Sequence, residues 1–385
     1  MSRLKELIER LCPDGVPFVK LGDYINIYTG DQFNKRDMST SGSYPVVNGG
    51  INPSGFIESY NEPRDTISIS QGGASAGYVA WQDTPFWAGA HCYVIRPDSK
   101  LIINRFLYFF LKNKESYLQQ MQHGAGIPAL NRDKIKELKF PLVPIEVQEE
   151  IVRILDTFCA YAAELQAELQ ARKEQYEYYR NLLLTFNPSA CGCGTDGEQE
   201  IKITTCGGGN YTVIWKAMGE IARIYSGSNK QKLSRGKFPV YGSTGIIAYC
   251  NKPTYRKQQI LIARVGANAG FTHLTTSDKY DVSDNTLIVD LNGIYNLKFI
   301  FHYLVNYNPN RLAKGGGQPL ITASEIKKIY IPIPPIEVQE KIVAILDRFE
   351  ALVNDLTQGL PAEIAAVRER YEYYRNKLLT FKKRA

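Results

Sequence analysis

The chain has 385 residues, of which 44% are hydrophobic and 22% charged, and 46 Lys and Arg against 39 Asp and Glu give a net charge of +7. This composition excludes a disordered tail and leaves room for two or three domains, while the positive charge permits an anionic partner without requiring one. No apolar run approaches the ~20 residues that span a bilayer, and MSRLKELIER lacks the apolar core of a secretion signal, so we expect a soluble cytoplasmic protein. The seven cysteines, an odd number, indicate reduced thiols.

The first 143 residues predict a mixed α/β domain. The segments PVVNGG, DTISISQGG and HCYVIRP are short β-rich runs that end in turn residues, and NRFLYFFLKN is a helical stretch. The glycine pairs Gly49-Gly50 and Gly72-Gly73 fit two interpretations, namely ordinary turns or a close approach of the backbone to a partner.

Residues 144–187 predict one long helix. It begins at PIEVQEEIVRILDT, and from Ile151 to Phe186 apolar or aromatic side chains then recur at steps of three and four residues, with one gap that is filled by Arg172. This spacing is typical of a helix that packs along another helix. At 1.5 Å per residue the helix would be roughly 60–70 Å long, which is too long for one face of a compact core. A plain coiled-coil spacer is the simplest interpretation of the periodicity alone.

The chain then repeats itself after a cysteine-rich linker at residues 188–210. Residues 211–334 carry the β-rich runs FPVYGS, QQILIARVG and NTLIVDLNG and the helical stretch LKFIFHYLVN, so we predict a second mixed α/β domain. Residues 335–385 repeat the long helix, with PIEVQEKIVAILDR at its start and YEYYRNKLLTF near its end, where the first copy has YEYYRNLLLTF.

The second helix is longer than the first because of an insertion between its two repeated blocks. The apolar seam passes through Leu356 and Ile364 with two successive steps of four residues, and Gly359 and Pro361 lie at the insertion. A four-residue insertion is a stutter that relaxes a supercoil locally, and proline removes a backbone donor, so we predict a kink or short break there. Because the two helices are so alike, we predict an antiparallel coiled-coil pair that separates the two α/β domains about a pseudo-twofold axis.

The doubled PIEVQE and YEYYRN blocks, each after a more variable globular part, resemble the conserved regions of specificity subunits of type I restriction-modification systems. The resemblance covers the whole chain; only the segment CGCGTDGEQEIKITTCGGGN departs from it, because it is longer and richer in cysteine than the family's linker. The implied order is target-recognition domain 1 at 1–143, conserved spacer helix 1 at 144–187, a linker at 188–210, target-recognition domain 2 at 211–334 and conserved spacer helix 2 at 335–385.

The resemblance implies that each globular domain reads one half of a bipartite target in double-stranded DNA. The two helices would hold two DNA methyltransferase subunits and would together fix the gap between the half-targets, and restriction subunits would join the full complex. The alternative is a non-catalytic coiled-coil scaffold with two protein-binding domains. A DNA-binding protein would lose affinity for random duplex steeply as salt rises, and a scaffold would not.

Motifs for catalysis are not found in the sequence. There is no G-x-x-x-x-G-K-[ST] loop and no Asn-Pro-Pro-aromatic or Asp-Pro-Pro-Tyr tetrapeptide, and the segments at 187–190 and 308–311 fit turns better. We therefore expect a non-catalytic subunit without cofactors. The histidines show no metal-ligand spacing, and His302 is predicted to lie in a core; the four are His91, His123, His273 and His302. A zinc site remains an alternative to structural or incidental thiols for Cys12, Cys191, Cys193 and Cys206.

Candidates for DNA contact are basic and amide side chains in predicted loops. Lys and Arg suit phosphates, whereas Arg, Asn and Gln read base edges in the major groove. Gln71 and Arg264 occupy matching positions before the matching glycines Gly73 and Gly266, as expected if one loop reads two different half-targets. The alternative for each residue is a solvated surface group. The full set is Lys35, Arg36, Asn48, Gln71, His123, Arg132, Lys230, Lys232, Arg235, Arg256, Lys257, Arg264, Asn268 and Lys314.

Polar residues that recur at both helix starts are candidates for contact with a partner. Their near-identity favours either a shared partner contact or a shared fold contact with the other helix. The alternative is the general preference of helix N-termini for acidic side chains. The six residues are Glu146, Gln148, Glu149, Glu337, Gln339 and Glu340.

Overall fold

The computed structural model describes residues 2–123, 128–186, 200–204, 210–228, 236–315 and 317–384. The chain divides into two compact units, the first formed by residues 1–166 and 363–385 and the second by residues 167–362. None of the helices described is both long and apolar enough to cross a membrane.

The first unit combines an α/β domain with parts of two long helices. Its helices are α1 (Ser2–Leu11), α2 (Asn104–Asn113), α3 (Glu115–Gln120) and α4 (Arg132–Lys136), together with the first part of α5 (Ile145–Leu184). Its strands are β1 (Phe18–Lys20), β2 (Ile25–Thr29), β3 (Tyr44–Val47), β4 (Phe56–Ile57), β5 (Thr66–Ser70), β6 (Val79–Gln82), β7 (Trp87–Ala88), β8 (Cys92–Pro97) and β9 (Lys139–Pro141), and short 3-10 turns lie at Leu21–Asp23 and Lys35–Asp37.

The second unit has a similar order of elements, with one additional strand at its start. Its strands are β10 (Glu200–Thr204), β11 (Asn210–Ala217), β12 (Ala222–Ser226), β13 (Phe238–Gly242), β14 (Gly245–Cys250), β15 (Ile260–Ala263), β16 (Thr272–Leu274), β17 (Asp281–Val282), β18 (Thr286–Leu291) and β19 (Tyr330–Ile333). Its helices are α6 (Met218–Ile221), α7 (Leu297–Tyr307), α8 (Ala323–Lys327) and α9 (Ile336–Asn354), with a 3-10 turn at Pro309–Leu312; α10 (Leu360–Leu378) follows and lies mostly in the first unit.

Two sheets have the same strand pairing in both domains, whereas the remaining sheet is β1-β9 in the first unit and β10-β11-β19 in the second. The first has a four-stranded antiparallel sheet in the order β2-β8-β5-β6 and a three-stranded sheet β4-β3-β7, and the second has β12-β18-β15-β16 and β14-β13-β17. In the β4-β3-β7 and β14-β13-β17 sheets the last pair is parallel. The central strand β5 (TISIS) is buried throughout, as expected for a β-branched run inside a sheet. The predicted internal repeat of mixed α/β domains is confirmed.

Each domain shares one hydrophobic core with the start of its long helix. In the first unit Phe106 and Phe109 of α2 pack in the same cluster as Ile151 and Leu155 of α5. In the second unit Phe299 of α7 packs with the corresponding side chains of α9. A fully buried side chain of this size contributes about 1.5–3 kcal/mol, so the helix start is held firmly against its domain.

The long helices pair antiparallel inside each unit. In the first unit Phe158 stacks on Tyr374 with ring centroids 5.4 Å apart, and the Tyr161 hydroxyl donates to Glu363 at 2.6 Å. A later residue of α5 thus contacts an earlier residue of α10, so the two helices run in opposite directions. In the second unit Tyr179 stacks on Phe349 at 5.7 Å. Further along α5, Leu184 joins the core that also contains Ile342, so this pair is antiparallel as well.

The predicted break in the second long helix is confirmed. Helix α9 ends at Asn354 and α10 begins at Leu360. Between them the Asp355 carboxylate accepts from the Thr357 N–H at 2.7 Å and the Gln358 N–H at 3.2 Å, which closes a turn. The prediction that Leu356 continues the apolar seam is wrong, because its side chain lies in this turn and is 79% exposed.

Candidate nucleic-acid interface

Gln71 and Arg264 occupy the same backbone frame in the two domains. Gln71 follows β5; its N–H donates to the His91 carbonyl at 3.0 Å, and its carbonyl accepts from the Leu130 N–H at 2.8 Å. Arg264 follows β15; its N–H donates to the Asn285 carbonyl at 2.9 Å, and its carbonyl accepts from the Ile321 N–H at 2.9 Å. The two loops therefore share the same backbone hydrogen bonds and differ in the side chain at this position.

The glycines that follow these residues are required by the turn. Gly73 and Gly266 have φ values of +80° and +83°, a left-handed conformation that favours glycine. Their N–H groups donate to Pro128 at 2.8 Å and Pro319 at 2.9 Å. A Cβ at either position would meet no atom within 4 Å, so space is not the constraint. The positive φ of Gly73 fits the interpretation of the Gly72-Gly73 pair as a turn.

A second loop lies beside the first in each domain. His123 forms a two-bond antiparallel bridge with Ala129, with N–O distances of 3.0 and 2.9 Å. Lys314 forms the same bridge with Leu320, with distances of 3.1 and 2.9 Å. His123 and Lys314 are both exposed. Each domain therefore has an exposed polar side chain at the same position of this second loop.

The Arg264 guanidinium is half-buried and only weakly held. Its Nη1 lies 3.5 Å from the Ser226 hydroxyl, at the limit of a hydrogen bond, and its buried Nε has no hydrogen-bond partner among the described residues. An unmade bond of a buried donor costs about 1–3 kcal/mol. In the first domain the Gln71 side chain instead contacts the Tyr93 hydroxyl. Burial raises the pKa of Tyr93, and hydrogen bonds from the Arg132 backbone and then from the Gln71 side chain oppose the rise.

Lys314 forms an ion pair with Glu325 in which the Nζ–Oε1 distance is 2.8 Å. The Lys314 ammonium is the main cause that lowers the pKa of Glu325 to about 2, and the backbone N–H and hydroxyl of Thr322 lower it further. Thr322 and Glu325 form the capping box of α8. Arg132 begins the corresponding helix α4 and is exposed.

The remaining candidates divide into three groups. Asn48 lies under the His91 turn, where its Oδ1 accepts from the His91 N–H at 3.1 Å, so it supports the loop. Lys257 is exposed and paired with Asp290 at 2.5 Å, whereas Arg36, Arg256 and Asn268 are exposed loop residues. The Lys35 side chain, and all of Lys230, Lys232 and Arg235, lie outside the described residues.

The prediction that Gln148 and Gln339 contact a partner is wrong. Their side chains are 0% and 2% exposed. Gln148 Oε1 accepts from the Ile103 N–H at 2.8 Å, and its Nε2 donates to the carbonyls of Leu101 and Val143, both at 2.8 Å. These bonds tie the start of α5 to the loop before α2 of the same domain, so the contact is with the fold and not with the other long helix.

Gln339 repeats this arrangement in the second unit. Its Oε1 accepts from the Asn296 N–H at 3.0 Å, and its Nε2 donates to the Pro334 carbonyl at 2.8 Å. Identical residues at matched positions are consistent with either kind of contact, so the sequence could not distinguish them. The four acidic candidates are exposed and remain available to a partner: Glu146, Glu149, Glu337 and Glu340.

A repeated ion pair also joins each domain to its helix. Arg105 pairs with Asp156 at 2.7 Å in the first unit, and Lys298 pairs with Asp347 at 2.5 Å in the second. His302 is 2% exposed, which confirms its predicted place in a core, and its Nε2 lies 3.1 Å from Asp347 Oδ1.

His302, Asp347 and Glu350 have donor atoms within 4.8 Å of one another, the chemistry of a metal site, but the Lys298 ammonium already neutralises the aspartate. For the zinc alternative, Cys12 is buried in the first unit. Cys191, Cys193 and Cys206 lie outside the described residues.

Comparison with known proteins places this architecture in one family. The family model described as the type I restriction modification DNA specificity domain matches residues 13–174 and 215–366. The chain therefore belongs to the family of type I restriction-modification specificity proteins.

Relatives support this at full length. The EcoR124I/EcoR124II type I restriction enzyme specificity subunit of Escherichia coli is 30% identical over 424 aligned positions, which cover 100% of this chain and 98% of that protein. A protein of Haemophilus influenzae, named as a type I restriction enzyme specificity subunit, is 29% identical and covers 90% of both chains. The crystal structure of the S subunit from M. genitalium has the same fold, with a TM-score of 0.62 over 95% of this chain and 96% of that chain at 19% identity.

Proposed function

We propose that this chain is the DNA-recognition subunit of a type I restriction-modification complex and that each of its α/β domains reads one half of a bipartite duplex target. The observation that carries this proposal is the matched frame of Gln71 and Arg264, in which the same backbone bonds hold two different base-reading side chains. A shared frame with a changed side chain is what two different half-targets require.

The chemistry of the two side chains differs in a predictable way. A guanidinium donates two parallel bonds to guanine O6 and N7, whereas a carboxamide pairs with adenine N6 and N7. Arg264 is therefore assigned to a guanine in the second half-target and Gln71 to an adenine in the first. Exposed basic residues of the two domains, such as Arg132, Arg256 and Lys314, are suited to phosphates, which position the domain without reading sequence.

We assign every chemical step to partner subunits. In this proposal the chain itself catalyses nothing and needs no cofactor, and a methyltransferase subunit binds near each helix start, so two copies join one chain. Glu146 and Glu149, with the matched Glu337 and Glu340, are exposed and supply the partner contacts. Residues 144–187 and 335–385 act as spacers between recognition domains at 1–143 and 211–334. Restriction subunits complete the assembly, which works in the cytoplasm, where the DNA lies.

The test is the methylated motif produced by the reconstituted complex. Arg264→Ala is expected to relax one base position in the second half-target at a cost of about 1–3 kcal/mol, roughly 5- to 150-fold in discrimination. Gln71→Ala is expected to do the same in the first half-target only, so each variant controls for the other. Arg264→Lys keeps the charge and loses the planar fork, so it should lose discrimination while keeping the salt dependence.

Two results would count against the assignment. An equal loss of affinity for specific and random duplex would make Arg264 a phosphate contact. A complex whose binding to random duplex does not change between low and high salt would favour the scaffold alternative, because phosphate contacts release counterions.

A further inference from the structure

The turn that precedes β8 is built identically to the turn that precedes β18. In the first domain the Cys92 N–H donates to the Gly89 carbonyl at 3.0 Å, and the Cys92 carbonyl accepts from Gly30 at 3.1 Å. In the second domain the Thr286 N–H donates to Ser283 at 3.2 Å, and the Thr286 carbonyl accepts from Gly227 at 3.0 Å. The residue before the strand is His91 in one turn and Asn285 in the other.

These two residues are direct cross-strand neighbours of the side chains assigned to base reading. Ser70 pairs with Cys92, and the bond from the Gln71 N–H to the His91 carbonyl continues this register by one residue. Cross-strand pairs have Cβ atoms roughly 5 Å apart on the same face of the sheet. His91 therefore lies beside Gln71 within reach of the same ligand surface.

The second domain has the same register. Ala263 pairs with Thr286, and the bond from the Arg264 N–H to the Asn285 carbonyl extends it. Asn285 therefore has the same position relative to Arg264 as His91 has relative to Gln71. The side chains of His91 and Asn285 are both exposed. Base pairs in B-DNA are stacked about 3.4 Å apart, so two side chains with this spacing reach adjacent base pairs.

Nothing in the turn itself requires these side chains. The bonds that hold the two turns do not involve the His91 or Asn285 side chain, and among the described residues neither the His91 imidazole nor the Asn285 carboxamide forms a hydrogen bond. Asn48 holds the His91 turn through the backbone N–H and leaves the ring free. A neutral imidazole offers one donor and one acceptor, and a carboxamide offers both as well, so each can bond a base edge.

We propose that His91 and Asn285 are specificity-determining residues, each of which bonds the base next to the one read by Gln71 or Arg264. This inference rests on the proposed function, and it adds a base-reading position to each half-target. Neither residue could be found from the sequence, because the pairing that brings them into place joins strands that are distant in the chain, with Ser70 opposite Cys92 and Ala263 opposite Thr286.

The experiment uses the complete reconstituted methyltransferase complex and compares the wild-type chain with His91→Ala, His91→Asn and Asn285→Ala. Sequencing of methylated sites should show that His91→Ala relaxes one position of the first half-target by at least about fivefold, the lower end for one base contact, and leaves the second half-target unchanged. Asn285→Ala should show the reverse. His91→Asn, which installs the carboxamide of the second domain, should change the preferred base at that same position.

Thermal melting of each variant serves as the folding control, and it should match the wild type because both side chains are exposed. An unchanged motif in both alanine variants would overturn the inference, as would an equal loss of affinity on specific and random duplex. Arg264→Ala separates this failure from a failure of the proposed function. If Arg264→Ala relaxes the second half-target and the His91 and Asn285 variants have no effect, only the further inference fails. If none of these variants changes the methylated motif, the assignment of Gln71 and Arg264 to base reading is wrong as well.

Discussion

Replacing Gln148 by methionine should destabilise the first unit, because the substitution keeps the volume of the side chain and removes its three hydrogen bonds. The Ile103 N–H and the Val143 carbonyl would lose their partners at a 0% exposed site, and the bond to Leu101, nearer the surface, would be lost as well. At about 1 kcal/mol for each of the first two and less for the third, plus part of the penalty for an orphaned donor, the expected loss is about 3 kcal/mol.

Gln339→Met provides an internal comparison because that side chain makes two such bonds instead of three. We expect a loss of about 2 kcal/mol in the second unit. Glu149→Met is the matched surface control, since Glu149 is the exposed neighbour of Gln148 and its replacement should change stability by less than about 0.5 kcal/mol.

The free energy of unfolding would be measured by urea denaturation, and hydrogen exchange with mass spectrometry would locate the loss. Exchange should accelerate around the start of α5 and α2 for Gln148→Met, and around α9 and α7 for Gln339→Met. The reasoning would be refuted if Gln148→Met cost no more than Glu149→Met. A variant of normal stability that no longer bound the methyltransferase would restore the partner interpretation of Gln148.

Two further predictions concern the acid stability of the second unit and the gap between half-targets. Burial lowers the pKa of His273 to about 4 from its usual 6.5, so the folded state binds this proton less readily than the unfolded state. The free energy of unfolding should therefore keep its full value above pH 6.5 and fall by roughly 3 kcal/mol as the pH drops toward 4. His273→Phe keeps the contacts with Tyr241 and Phe271 and should remove this part of the pH dependence. The free energy of unfolding would be measured by urea titration at pH 7 and pH 5, and an equal change between the two pH values in variant and wild type would contradict the assignment. Inserting one Gln-Ala-Glu-Leu tetrad after Leu169 should lengthen α5 by about 6 Å and keep its seam, so the unread gap in the methylated motif should grow by about one or two base pairs while both half-targets stay the same. Altered half-targets would show instead that the helices take part in base reading.

The elements of this fold follow from local sequence patterns. The run NRFLYFFLKN forms helix α2 at Asn104–Asn113, and TISIS forms the buried strand β5, because periodicity and β-branching act within a few residues. The interruption near Gly359 and Pro361 was equally local, since a proline and a four-residue insertion disturb a helix wherever they occur.

Tertiary structure decided which polar residues are buried and which are exposed. Gln148 and Glu149 are adjacent in the same repeated block, yet one is buried with three hydrogen bonds and the other is exposed. Asn48 matched the chemistry of a base-reading residue and supports a turn, whereas His91 matched no motif and lies beside Gln71. The partners of these side chains come from strands and loops far away in the chain, so the balance between burial and exposure is set only when the sheet register brings those segments together.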